Sequence, residues 1–363
     1  MPYKFPIIGK IIELHYDSDA IDRLRYMSTP VFLILAGLFI MTKQYVGQSV
    51  QCWAPTHFKD SWEAYAETYC LIENTYFVPM NQSNLPEVNT RENREMKYYQ
   101  WVPFILFGMA FTLYLPRIFW KLSQLVMGID LSIITIQLRN RALTGLTSDS
   151  HLNVEELRNE VEIKPKERRY KSDQQLWGFN LTVCLISTKI AATFVIFASI
   201  IFLESFMGLG PMYGYTVTRD ILAGREWKES GSFPRVTFCD FEVREIGYIN
   251  NWTIQCVLMV NMFNEKLFVA LWWWYFVLAA MSIFDIFRII YRFTAYHQIN
   301  FVSDILSIGC KVNAEKTEIS RFIRSTLKND GISLLHLINS NSTLFETAEF
   351  LEPIWQSRKS KHQ

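Results

Sequence analysis

Residues 267–284 read LFVALWWWYFVLAAMSIF. Not one of these residues is charged, and roughly 20 apolar residues are enough to cross the hydrocarbon core of a bilayer. A helix is the form such a run takes in lipid, because it satisfies every backbone polar group within the segment. Three more segments share this character. The first runs from about Met27 to Val46, with Lys43 near one end, where its long side chain reaches the headgroups. The second carries no charge from Tyr98 through Pro116; Tyr98, Tyr99 and Trp101 mark one interface, and Phe119 and Trp120 the other. The third, about Asn180 to Phe206, contains Glu204 near one end and Lys189 about two turns in from the other. Lys189 either snorkels to the interface, the favoured reading, or faces a wet interior.

Four spans divide the chain into a cytoplasmic N-terminal segment (1–28), first span (29–46), first extracellular loop (47–97), second span (98–120), cytoplasmic loop (121–179), third span (180–206), second extracellular loop (207–265), fourth span (266–286) and cytoplasmic tail (287–363). An even number of crossings puts both termini on one side, and basic residues choose which. Lys and Arg make up 23 of the 164 residues assigned inside but only 9 of the 110 assigned outside. Residues 1–28 mix Lys4, Lys10, Arg23 and Arg25 with four acids and lack the short apolar core of a cleavable signal, so the first span is expected to be an uncleaved anchor.

Half of the 363 residues are apolar and 15% are aromatic, which excludes a disordered chain. A net charge of +1 gives no nucleic-acid signature. No HExxH, P-loop, GxSxG or paired His/Cys metal spacing occurs, and the six histidines are scattered. The expectation is a non-enzyme with no cofactor and no metal.

Four of the six cysteines fall in the outer loops: Cys52 and Cys70 in the first, Cys239 and Cys256 in the second. This agrees with an extracellular location, where disulfides persist. Cys52 and Cys256 lie close to spans, and Cys70 and Cys239 deeper in their loops. Pairing like heights favours Cys52–Cys256 and Cys70–Cys239, with pairing inside each loop the open alternative. In the first loop Phe58, Trp62, Tyr65, Ala66 and Tyr69 recur at helical spacing. This stripe is expected to pack on the second loop. Asp60, Glu63 and Glu67 on the other side either line a cation-attracting vestibule or form a solvated face.

Tyr98-Tyr99-Gln100-Trp101-Val102-Pro103-Phe104 resembles the signature of the innexins, the invertebrate gap-junction proteins related to pannexins. Asp19-Ala20-Ile21-Asp22-Arg23-Leu24, Cys52-Trp53-Ala54-Pro55, Phe233-Pro234-Arg235-Val236-Thr237-Phe238-Cys239-Asp240-Phe241 and Asn264-Glu265-Lys266-Leu267-Phe268 are similar to further family segments, in order, between about residues 17 and 290. The resemblance implies an all-α membrane protein: four transmembrane helices, disulfide-stapled extracellular loops and a helical cytoplasmic dome. It also implies a ring oligomer, eight subunits being expected, around a wide central pore. The partners would be identical or related innexin subunits, membrane lipids and an opposing hemichannel in the neighbouring cell. The location would be the plasma membrane at cell–cell junctions, with both termini cytoplasmic. Ions and small metabolites would pass down their gradients. The family also pairs its outer-loop cysteines between loops.

Selectivity in a wide pore rests on width and wall charge. The candidate wall residues are Met1, Pro2, Tyr3, Lys4 and Phe5, with Val50 and Gln51 beyond the first span. Pro103 and Pro116 each remove a helix hydrogen bond and are expected to bend the second span statically. Asn81-Gln82-Ser83 and Asn251-Trp252-Thr253 are glycosylation candidates in the outer loops. The basic run 164–171 is read as a solvated, topology-enforcing face. A four-pass adhesion or scaffold protein that does not conduct is the alternative reading.

Overall fold

The computed structural model describes residues 18–47, 49–56, 58–79, 82, 84–91, 94–127, 131–132, 134–136, 180–225, 227–309 and 314–362. The candidates Met1 to Phe5, Asn81, the run 164–171 and Cys310 lie outside them. Four helices are long and apolar enough to cross a membrane. In chain order the elements are α1 (Ala20–Tyr45), β1 (Val50–Trp53), α2 (Asp60–Glu73), β2 (Thr75–Tyr76), β3 (Glu95–Met96), α3 (Val102–Met127), α4 (Asn180–Met207), α5 (Tyr213–Leu222), β4 (Val236–Glu245), β5 (Tyr248–Leu258), α6 (Met259–Arg292), α7 (Ala295–Gly309), α8 (Lys316–Phe322), α9 (Lys328–Asn341) and α10 (Leu344–His362).

The spanning helices outrun the apolar stretches that mark them. α1 starts at Ala20 and passes through a π turn, Leu24–Ser28, before its apolar body. α6 extends to Arg292, past Asp285 and Arg288. Hydropathy locates only the apolar middle; the helices continue through charged residues wherever those charges find partners. Pro103 is the second residue of α3, where its missing N–H would have had no intrahelical acceptor, so the bend expected there is not required. Pro116 lies inside the helix.

The chain divides into two compact units. One comprises residues 28–113 and 194–280. Its centre is a five-stranded antiparallel sheet in the order β1-β5-β4-β2-β3, which the all-helical expectation did not include, although the chain is mostly helical. The sheet has a plain cause. In β4 the buried Thr237, Cys239 and Phe241 alternate with exposed Asp240 and Glu242, and in β5 Ile254, Cys256 and Leu258 alternate with exposed Gln255 and Val257. That period-2 pattern buries one face of each strand. Gly247 closes the β4–β5 hairpin at φ +101°, a conformation that costs a side-chain-bearing residue. The outer cysteines and the aromatic stripe make these loops read as connectors for disulfides, which obscures the alternation.

In the same unit α5 packs against α6 at Gly214. A Cβ built there would clash with the indole ring of Trp272. Gly214→Val is therefore expected to destabilise the unit by about 1–3 kcal/mol, the usual cost of overpacking. A lowered melting temperature of the solubilised protein is the check; an unchanged one would show that the α5–α6 contact yields freely.

The second unit comprises residues 1–27, 114–193 and 281–363. Its core gathers Trp120 of α3, Leu181 of α4, Ile305 of α7, Phe322 of α8, Leu335 of α9 and Trp355 of α10. Asp330, in the first turn of α9, accepts from the Leu181 and Thr182 N–H groups (3.3 and 3.0 Å) and from the Thr182 hydroxyl (2.8 Å). It caps the start of α4 and places a negative charge at the positive end of the helix dipole.

Candidate functional site

The loop unit is held by two covalent bridges, Cys52–Cys256 and Cys70–Cys239, spanning 204 and 169 residues of sequence. Both link the first outer loop to the second, so within-loop pairing is excluded. β1 and β5 pair with Cys52 directly opposite Cys256. Cys70, in the last turns of α2, reaches Cys239 in β4. The Sγ atoms of Cys52, Cys70 and Cys256 all lie within 4.8 Å of one another, so the two bridges are neighbours. These sulfurs are consumed in disulfides and offer no metal site.

Around the bridges the aromatic stripe divides. Phe58 packs edge-on against Trp252 of β5, and Tyr69 against Phe241 of β4, as expected for loop-to-loop packing. Ala66 is buried, but Trp62 and Tyr65 are about half exposed. Asp60 and Glu63 lie exposed in the first turn of α2. Glu67 is different: its Oε1 accepts from the Cys52 N–H at 3.3 Å, which ties α2 to β1. Of the two candidates for the wall beyond the first span, Gln51 is exposed and Val50 is buried in the sheet. Val50 is thus a core residue, because in a strand its side chain points opposite to that of Gln51.

The segment beginning at Tyr98 acts here as a clamp. Gln100 Nε2 donates to the Leu71 and Ile72 carbonyls (2.6 and 2.7 Å) and to Asn74 Oδ1 (3.0 Å). The Tyr99 hydroxyl donates to the Cys70 carbonyl (3.3 Å), and the Tyr98 hydroxyl to Asn261 Oδ1 in α6 (3.0 Å). The last turn of any helix leaves carbonyls without intrahelical donors; in α2, Tyr99 and Gln100 supply them. Trp101 is exposed, while Val102 and Pro103 are buried where α3 begins. Across the sheet, Asp240 accepts from Arg91 Nη1 (2.8 Å), the Thr253 hydroxyl (2.6 Å) and the Tyr76 hydroxyl (3.2 Å), which pins the rest of the first loop to the hairpin. Glu204 in α4 accepts from the Met212 N–H (2.9 Å) and Trp272 Nε1 (3.2 Å).

In the other unit Lys189 does not snorkel. Its side chain is 3% exposed, and Nζ meets Asp285 Oδ2 at 2.8 Å, Asp19 Oδ2 at 3.3 Å and a carboxylate oxygen of Asp22. Arg25 bridges Asp22 (3.1 Å) and Asp285 (3.3 Å). Arg288 bridges Asp19 (2.7 Å) and Asp285 (2.9 Å), and Arg292 approaches Asp19 at 3.7 Å. Four cations thus face three carboxylates. The cluster joins the start of α1 to α4 and α6. Burial alone would raise the Asp19 carboxyl, but Lys189, Arg292 and Arg288 hold it down at about 2.

A model of the innexin family matches residues 18–358. The chain belongs to the innexin family. It is 57% identical to Innexin-17 of Caenorhabditis elegans over 351 residues, 97% of each chain. It is also 36% identical to Innexin unc-9 of that animal, covering 98% of this chain and 96% of the relative, and 37% identical to its Innexin-16, covering 93% and 89%. Innexins are gap-junction channel proteins, so this innexin is a multi-pass membrane protein and a channel subunit. The non-conducting adhesion reading is set aside.

Sequence reading of this innexin missed the ion cluster, though a signal existed. An intramembrane lysine needs counter-charges, and Asp285 is the first charge after the uncharged run of the fourth span. It also missed His336, which is buried in α9 with its ring stacked on Phe301 at 4.0 Å and facing His297, Arg292, Arg288 and Asp19. Burial, then Arg292 and His297, push its pKa down to about 3. A histidine lowered in the folded state stabilises above its unfolded value, and that contribution is lost as pH falls from about 6.5 toward the folded value. At pH 5.5 the loss is about 1.4 kcal/mol relative to neutral pH. His336→Phe is expected to flatten the melting temperature between pH 7.5 and 5.5; an unaltered slope would assign that slope to other groups.

Proposed function

We propose that this innexin assembles as a ring, eight subunits being the family expectation, around a wide pore with both termini in the cytosol. The ring docks with an opposing ring in a neighbouring cell, and passes ions and small metabolites passively. The observation that carries this reading is the pair of bridges between segments 47–97 and 207–265. Such bridges form in an oxidising compartment, and the bias of Lys and Arg toward the other segments agrees. The bridged sheet gives each subunit a stiff outer face, as docking rings require. Lys4 repeated around a ring would form a positive collar, and Asp60 and Glu63 a negative vestibule at the outer mouth. Undocked rings act as hemichannels. Dye entry into single cells expressing the chain tests conduction apart from docking: uptake is expected, and its absence with the protein at the surface would count against a pore.

Asn251 is exposed on β5 opposite Glu242, so a glycan there adds bulk to the face that must meet the other ring. Glycosidase treatment is expected to increase gel mobility, Asn251→Gln to remove part of that shift, and the same variant to raise junctional current relative to hemichannel current. Unchanged mobility would show that the sequon is bare.

A further inference from the structure

The unit that holds the ion cluster also holds a cavity of about 420 Å³ between α4 and α6. Its walls are Ile186, Ile190, Ile286, Ile289, Ile290 and Phe293; Thr182 and Asn329 also line it, and Lys189 connects it to the cluster. The volume and lining, mostly apolar with a few polar groups, are those of a ligand site between helices. Ile190 and Ile290 are more than half exposed, so the cavity is open at its rim. Thr182 and Ile190 lie eight residues apart in α4, so the groove runs roughly 12 Å along that helix from its first turn.

We propose that this groove holds one acyl chain of an anionic phospholipid. The long walls belong to helices that cross the membrane, with Asn329 of α9 at one end, so the rim meets lipid where those helices enter the headgroup region. The groove starts at the polar ends of these helices, near headgroup depth, and leads inward over isoleucine. The charge also matches: four cations face three carboxylates in the adjoining cluster, and Arg288 and Arg292 are the two of these cations that are partly exposed. An anionic headgroup there meets a local positive excess. Asn329 offers a hydrogen bond to the glycerol region.

The test uses the full chain in phosphatidylcholine bilayers containing a small fraction of phosphatidylserine with a photoactivatable acyl chain. Crosslinks are expected to concentrate on Ile190, Ile286 and Ile290, severalfold above those on Ile201 and Phe287, which are more exposed on the same two helices. Ile190→Trp and Ile290→Trp, both at the exposed rim, are expected to fill the groove and remove its crosslinks, and Ile201→Trp to leave them. Even labelling of all exposed positions would overturn the proposal in favour of ordinary bilayer contact. Equal labelling by the phosphatidylcholine form of the probe would overturn the anionic preference. An unlabelled groove, with Ile190→Cys crosslinking to a second copy, would overturn the proposal and assign the groove to a neighbouring subunit.

Discussion

Cys239→Ser is expected to abolish junctional current, and to do more damage than removal of Cys70 and Cys239 together. A native bridge closing a loop of this length is worth about 2–5 kcal/mol, and either variant loses that. The single variant adds a second fault. It leaves the Cys70 thiol buried and within 4.8 Å of both sulfurs of the Cys52–Cys256 bridge. A thiolate at that distance attacks the neighbouring disulfide, releases one of its sulfurs and forms a non-native bridge from Cys70 to Cys52 or Cys256. Cys70→Ser/Cys239→Ser has no such thiol and keeps the β1–β5 bridge. Peptide mapping is expected to find mixed bridges in the single variant and only Cys52–Cys256 in the double. Equal surface levels and an intact Cys52–Cys256 bridge in both would show that the two disulfides act independently.

Asp285→Asn is expected to be nearly as severe. Asp285 is fully buried and serves Lys189, Arg25 and Arg288 at once. Without its charge, four cations share the carboxylates of Asp19 and Asp22. Breaking a buried pair by removing one partner costs about 3–5 kcal/mol, because the remaining charge stays desolvated. Lys189→Met alone leaves three cations against three carboxylates and is expected to be milder. Added to Asp285→Asn, it restores the native excess of a single cation, so the double variant should recover much of the lost surface protein and thermal stability. A double variant worse than Asp285→Asn would show that packing around these side chains, not their charge balance, holds the helices.

The parts of this chain that were readable beforehand are those governed by one-dimensional patterns. Uncharged apolar runs reveal the four spans because lipid tolerates little else, and the positions of Cys52, Cys70, Cys239 and Cys256 relative to those spans favour the inter-loop bridges. What was missed depends on partners distant in sequence. The role of Lys189 turns on Asp19 and Asp285, 170 and 96 residues away. Gln100 makes sense only once Leu71 and Ile72 present their carbonyls. The sheet was legible in the alternation of β4 and β5 but was masked by short strands and by helix-like aromatic spacing in the first loop. Val50 was misplaced for a simpler reason: a one-residue step along a strand reverses the face, and only the pairing of β1 with β5 tells which face is buried.

The most direct measurement is junctional conductance between two apposed cells that each express this chain alone. The structure and family predict a large current that is absent when only one cell expresses the chain. Apposed cells with abundant surface protein, neither junctional current nor single-cell dye uptake, and intact Cys52–Cys256 and Cys70–Cys239 bridges would contradict the account.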